Sequence, residues 1–170
     1  NKKDFFGAAL VACLSIESAQ GSTLGCVLKT DYTPGIACAA TTYTANNQAQ
    51  LDTYLLNYGE SGGLYKNLKI NFAVTGTDIQ IHSPCDIKFS TTASITASNV
   101  CLDGRGGVTG GSVDIEGETV SMLSEMGTVV YFSGALIQAD QLTLSARDVV
   151  RIGPDSVTTV TGAIVLGTVA

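Results

Sequence analysis

Residues 134–153 read GALIQADQLTLSARDVVRIG, and this one stretch holds three short apolar-x-apolar units: Ala135 to Ile137, Leu142-Thr143-Leu144 and Val150 to Ile152. Each unit puts two apolar side chains on one face of a strand and a polar or small one on the other. Strands this short do not form a stable sheet alone, so their partners must come from elsewhere in the chain. The middle unit recurs as Ile79-Gln80-Ile81, Val100-Cys101-Leu102, Val120-Ser121-Met122 and Ile164-Val165-Leu166. Successive starts are separated by about 21 residues, a spacing in the range of solenoid repeats. The first unit recurs as Phe72-Val74, Ala93-Ile95, Val113-Ile115 and Val157-Thr159, and the third as Ile87-Phe89, a weak Val108 and Val129-Tyr131.

Three strands per period are what one turn of a coil requires. Each strand then hydrogen-bonds to its equivalent one period later, stacking at about 4.8 Å, and the inward Val, Ile and Leu become internal columns. The expected fold is therefore mainly β: a three-sided parallel β-helix, or solenoid, of about four to five rungs over residues 68–170. Asp103-Gly104-Arg105-Gly106-Gly107 falls at a corner of this coil, where positive φ is the expected reason for glycine. Later rungs put Leu123-Ser124-Glu125-Met126-Gly127 and Ser145-Ala146-Arg147-Asp148 in the same slot. Variable corners of this kind read as solvated surface.

Residues 1–67 follow a different pattern. Residues 1–21, NKKDFFGAALVACLSIESAQG, form an apolar segment that reads either as a retained helix or as a signal-like leader. If retained, Phe5, Phe6, Leu10, Cys13 and Leu14 share a helical stripe that must be buried against something, such as a second subunit. Residues 22–67 are expected to form a hairpin and a capping helix. Thr33-Pro34-Gly35 is a turn signal lying between Cys26 and Cys38, which predicts a disulfide between those two. Asn46 or Asn47 can cap a helix in which Leu51, Tyr54, Leu55 and Tyr58 are helically spaced, and Gly59 ends it.

With 170 residues and 45% hydrophobic against 14% charged side chains, the chain is long and apolar enough to bury one core. The net charge of −6 disfavours a nucleic-acid partner. All of that excess lies in residues 72–170, which hold ten acidic and four basic side chains. No apolar run reaches the roughly 18 to 20 residues that a membrane span needs.

Few residues suggest chemistry. Asp103 and Arg105 resemble a lyase pair, but the period sets no further acids beside them, and a solvated corner is the favoured reading. Asp114, Glu116 and Glu118 alternate on one outer strand face. Calcium ligands converge from several segments, so solvated surface is preferred, with no metal and no cofactor expected. His82 is the only histidine and has no Cys or His at ligand spacing. With Cys26 and Cys38 paired, Cys13, Cys85 and Cys101 remain, and the separation of Cys85 from Cys101 falls short of a full rung. An outward Cys101 reads equally as a disulfide to Cys13 of a neighbouring subunit or as a plain surface thiol.

The rungs, residues 134–153 above all, resemble the right-handed parallel β-helix of filamentous haemagglutinin-like adhesins. That resemblance covers about 100 residues and implies a secreted or surface-displayed structural protein without enzymatic activity. The asparagine-proline motifs typical of those adhesins' secretion domain are missing from the amino-terminal part. The last rung, VTGAIVLGTVA, is apolar, so either the chain continues or this end docks on another copy, in which case Ile164, Leu166 and Val169, with Phe5, Phe6 and Leu10 at the other end, are the expected self-association residues. A head-to-tail contact that does not close makes a filament. The expected function is thus a structural subunit of an extracellular or cell-surface filament or adhesin, a homo-oligomer with host or cell-surface glycans as a further partner. The alternative is a carbohydrate-binding or polysaccharide-degrading β-helix that uses Tyr and acidic residues along one groove.

Overall fold

The computed structural model describes residues 26, 29, 32, 33, 35–131, 134–153 and 155–168. Phe5, Phe6, Leu10, Cys13 and Val169, and with them the whole of segment 1–21, lie outside the described residues. All strand pairings between named strands are parallel. They form a three-sided β-solenoid. Its first side stacks β1 (Ala37–Ala45), β2 (Leu64–Ile70), β5 (Asp86–Phe89), β8 (Gly107–Gly110), β10 (Thr128–Tyr131) and β12 (Val150–Ile152). The second side stacks β3 (Ala73–Thr75), β6 (Ser94–Thr96), the first part of β9 (Asp114–Ser124), the first part of β11 (Leu136–Ala146) and β13 (Val157–Val160). The third holds β4 (Asp78–Ser83), β7 (Asn99–Gly104), the remainder of β9 and β11, and β14 (Ile164–Thr168).

The register confirms the periodic reading residue by residue. Ile79 pairs with Val100, Val100 with Val120, Val120 with Leu142 and Leu142 with Ile164. On the second side Val74, Ile95, Ile115 and Ile137 form one column. Apart from the exposed Ile164, these side chains and their neighbours make up the main hydrophobic core. Two details differ from expectation. The first side has six strands, because β1 already stacks in register on β2, so the coil has about six turns and starts before residue 68. In the last rung Ile137 pairs with Thr158, not with Thr159, so Thr158 and Val160 take the inward positions and Val157 faces out. The segment Val-Thr-Thr-Val is palindromic, so either parity turns one Val and one Thr inward.

The capping helix, α1, spans Gln48–Asn57, and the Asn47 side chain accepts the Gln50 N–H at 3.0 Å as its N-cap. Tyr58 closes it with φ 57°. It joins β1 to β2 and occupies the place that the other two sides of the first turn would fill. Its Leu51 and Tyr54 enter the core. Tyr54 Oη donates to the Lys66 carbonyl at 2.8 Å and accepts from Ser83 Oγ at 2.7 Å, tying the helix to the wall.

Among the described residues no strand before β1 pairs with it, so the expected hairpin is not found there. The backbone does turn at the predicted place, with Gly35 at φ 82° and Ile36 N–H pointing to the Thr33 carbonyl at 3.5 Å. The limb before the turn does not return along β1, however; it crosses to the third side of the coil, where Cys26 bonds Cys101.

Candidate functional site

Most of the described residues singled out from the sequence lie in two regions, the corner between the third and first sides and the last described rung. At the corner two disulfides hold the chain, one in the segment that precedes β1 and one at the start of β1 itself. Cys26 is bonded to Cys101 and Cys38 to Cys85, in place of the expected Cys26–Cys38 pair. The physical reason is the crossing just described: Cys38 stays on the first side, close to Pro84 and Cys85, while Cys26 lies against β7. Cys101 does face outward from the coil, but it is buried beneath Cys26 and beside Leu123, and its intrachain bond removes it from any link to Cys13. Cys85 and Cys101 are not bonded to each other, as their spacing implies. Structural disulfides belong to an oxidising, extracellular environment. No described helix is long and apolar enough to cross a membrane.

The corner is solvated at Arg105 and Gly106 but not at Asp103. Asp103 is 1% exposed; its Oδ2 accepts the Lys29 backbone N–H at 2.6 Å and lies 3.1 Å from His82 Nδ1. His82 and Asp103 are register partners on β4 and β7. Just beyond them, Arg105 Nε faces Glu125 Oε2 at 3.1 Å across successive rungs. Tyr32, carried by the strapped segment, packs edge-on against Tyr58 and Tyr65. Burial first, and the Asp103 carboxylate second, raise the Tyr32 phenol well above its usual range. Chemically this is a buried Asp103 carboxylate covered by a disulfide-pinned strap, beside a partly exposed Arg105–Glu125 pair.

At Gly104 glycine is needed for close approach, whereas Gly107, the last glycine of the corner, has a positive φ of 159°. A Cβ on Gly104 would collide with the Gly107 carbonyl oxygen, and one on Gly106 would stand 2.5 Å from Asp86 Oδ1. Neither has a left-handed φ.

Asp114, Glu116 and Glu118 lie on the outer face of β9, as the alternation implies. Among the described residues, no group of three His, Cys, Asp or Glu side chains is placed to hold a metal ion. Five of the six tyrosines gather at the helix-capped end, with Tyr43, Tyr54, Tyr58, Tyr65 and Tyr32 in successive ring contacts. These five tyrosines and the acidic stripe do not share one groove.

In the last described rung the inward columns are exposed. Leu142 is 1% and Leu144 0% exposed, whereas Ile164 and Leu166, their partners one rung on, are 36% and 43% exposed. Ile152, which continues the first side beyond Tyr131, is 50% exposed. Among the described residues, β12, β13 and β14 each have a ladder on one edge only. Sequence reasoning anticipated Ile164 and Leu166 and missed Ile152.

Comparison with family models, curated proteins and solved structures finds no match to this chain.

Proposed function

We propose that this chain is a non-enzymatic structural subunit of an extracellular or cell-surface filament or adhesin, in which copies associate head to tail through the final rung. The observation that carries this reading is the exposure of Ile164 and Leu166 in columns that are fully buried one rung earlier. Open strand edges over an exposed apolar core attract a further strand layer. The other end of the same molecule supplies one: β1 is the outermost strand of the first side, and its only partner among the described strands is β2. A second copy with its β1 against β12 continues the six-stranded first side in the same parallel sense. Such a contact uses different surfaces on the two copies and does not close on itself. The two disulfides fit an extracellular setting.

Negative-stain imaging across a concentration series tests this. The expected result is rods that lengthen with concentration and are shortened by Leu166→Asp. Uniform single particles at all concentrations would overturn the proposal.

A further inference from the structure

The corner between the second and third sides is concave on its outer surface. β9 and β11 run through this corner without a break, and the residues that face inward there are small. Ala97, Gly117 and Ala139 occupy successive rungs, and Ala139 pairs with Gly117. A Cβ at Gly117 would lie 2.7 Å from the Ala97 carbonyl oxygen, so the backbone is drawn in against the rung below. The result is an open groove of about 680 Å³ that runs along the coil axis.

Two polar rails flank the small floor. Thr96, Glu116, Gln138 and Thr159 are consecutive register partners or near-partners and form one rail. Ser98, Glu118, Asp140 and Thr161 form the other. Thr161 Oγ1 donates to Asp140 Oδ1 at 2.7 Å, whereas Glu116, Glu118, Gln138 and Thr159 have no side-chain hydrogen bond among the described residues. Five rungs at about 4.8 Å give the groove about 19 Å of length. Its volume then corresponds to a cross-section of about 36 Å². That is room for one extended polymer chain and too narrow for a folded domain.

The chemistry of the rails selects among polymers. Their free groups are carboxylates, an amide and hydroxyls, so acceptors exceed donors. No Lys or Arg lines the groove. A ligand must bring hydrogen-bond donors and carry no acidic groups, since three carboxylates would repel a polyuronate, and a neutral hydroxyl-rich chain offers such donors at regular intervals. We propose that this groove is a binding site for a linear, non-acidic, hydroxyl-rich polysaccharide lying along the coil axis. The site is on the side of the coil and does not depend on whether copies associate at the ends.

Affinity electrophoresis of the full chain in native gels containing hydroxyethyl cellulose, glycol chitosan or polygalacturonate tests the proposal. Expected is retardation by hydroxyethyl cellulose that persists in about 0.3 M salt, where surface charges are screened beyond roughly 6 Å, and none by polygalacturonate. Gln138→Arg, a change at an exposed side chain on one rail, should weaken that retardation at least about fivefold while the circular dichroism spectrum stays unchanged, as loss of a central hydrogen-bonding contact implies. Three results overturn it: no retardation by hydroxyethyl cellulose, equal retardation of Gln138→Arg, or retardation by glycol chitosan alone that vanishes with salt. The last is the behaviour of an acidic surface without a site.

Discussion

Removing one disulfide at a time measures how much of the molecule depends on the strap. The Cys26–Cys101 bond has a sequence separation of 75 and encloses the Cys38–Cys85 bond, whose separation is 47. With the inner bond in place, the outer one closes only the stretches from Cys26 to Cys38 and from Cys85 to Cys101, about 28 residues together, and it is this shortened loop that sets its entropic effect. Loop-closure entropy then gives about 3.5 kcal/mol for the outer bond, about 3 for the inner bond when the outer is kept, and about 7.5 for both. The two single effects therefore sum to less than the effect of removing both bonds. The variants are Cys26→Ser with Cys101→Ser, Cys38→Ser with Cys85→Ser, and the fourfold replacement, unfolded in urea and followed by circular dichroism. At about 2 kcal/mol per molar of urea, each single removal should lower the midpoint by about 1.5 M. A midpoint within about 0.3 M of the parent, roughly 0.6 kcal/mol by the same slope, would show that the strap does not hold the coil together. Peptide mapping that joined Cys26 to Cys38 would refute the connectivity outright.

Three further outcomes follow from the packing. Gly127→Ala should cost about 1–3 kcal/mol, because a Cβ there collides with the Gly106 carbonyl oxygen, whereas Gly111→Ala, with open space around it, should leave the melting temperature unchanged. Leu144→Ala in the closed part of the third side should cost about 2–5 kcal/mol, and Leu166→Ala at the open rung less than half as much when measured at high dilution. The Tyr32 and Tyr54 phenols, both raised by burial, stabilise the fold while neutral. Their folded pKa values lie above the unfolded value of about 10, so stability holds below that pH and falls by about 1.4 kcal/mol per unit per phenol above it. Tyr54→Phe should reduce this alkaline slope in urea titrations between roughly pH 9 and 12, where phenols titrate; an unchanged slope would remove Tyr54 from the explanation.

The coil was legible because a column needs the same parity and the same apolar character once in every period, and that constraint repeats along Ile79, Val100, Val120, Leu142 and Ile164. The helix was legible from Asn47 and the spacing of Leu51 and Tyr54. The same period also contained the corner contacts that were missed. His82 precedes Asp103, and Arg105 precedes Glu125, by one turn of the coil, so the ladder rule that aligned the apolar residues puts these charged ones side by side. The disulfide pairing was not legible. It depends on where the segment before β1 crosses the coil, and no periodic signal in residues 22–36 specifies that crossing. The outer groove was equally hidden, since Ala97, Gly117 and Ala139 read simply as weak core positions until the uninterrupted course of β9 and β11 shows what their smallness permits.

The stacking of side chains one period apart is tested most directly by methyl nuclear Overhauser effects in dilute solution. Ile81 pairs with Leu102, Leu102 with Met122 and Met122 with Leu144, so their methyl groups should give one continuous chain of cross-peaks along the third side. Cross-peaks missing at any of these steps, or displaced to residues two positions away in the chain, would contradict the coil and everything built on it.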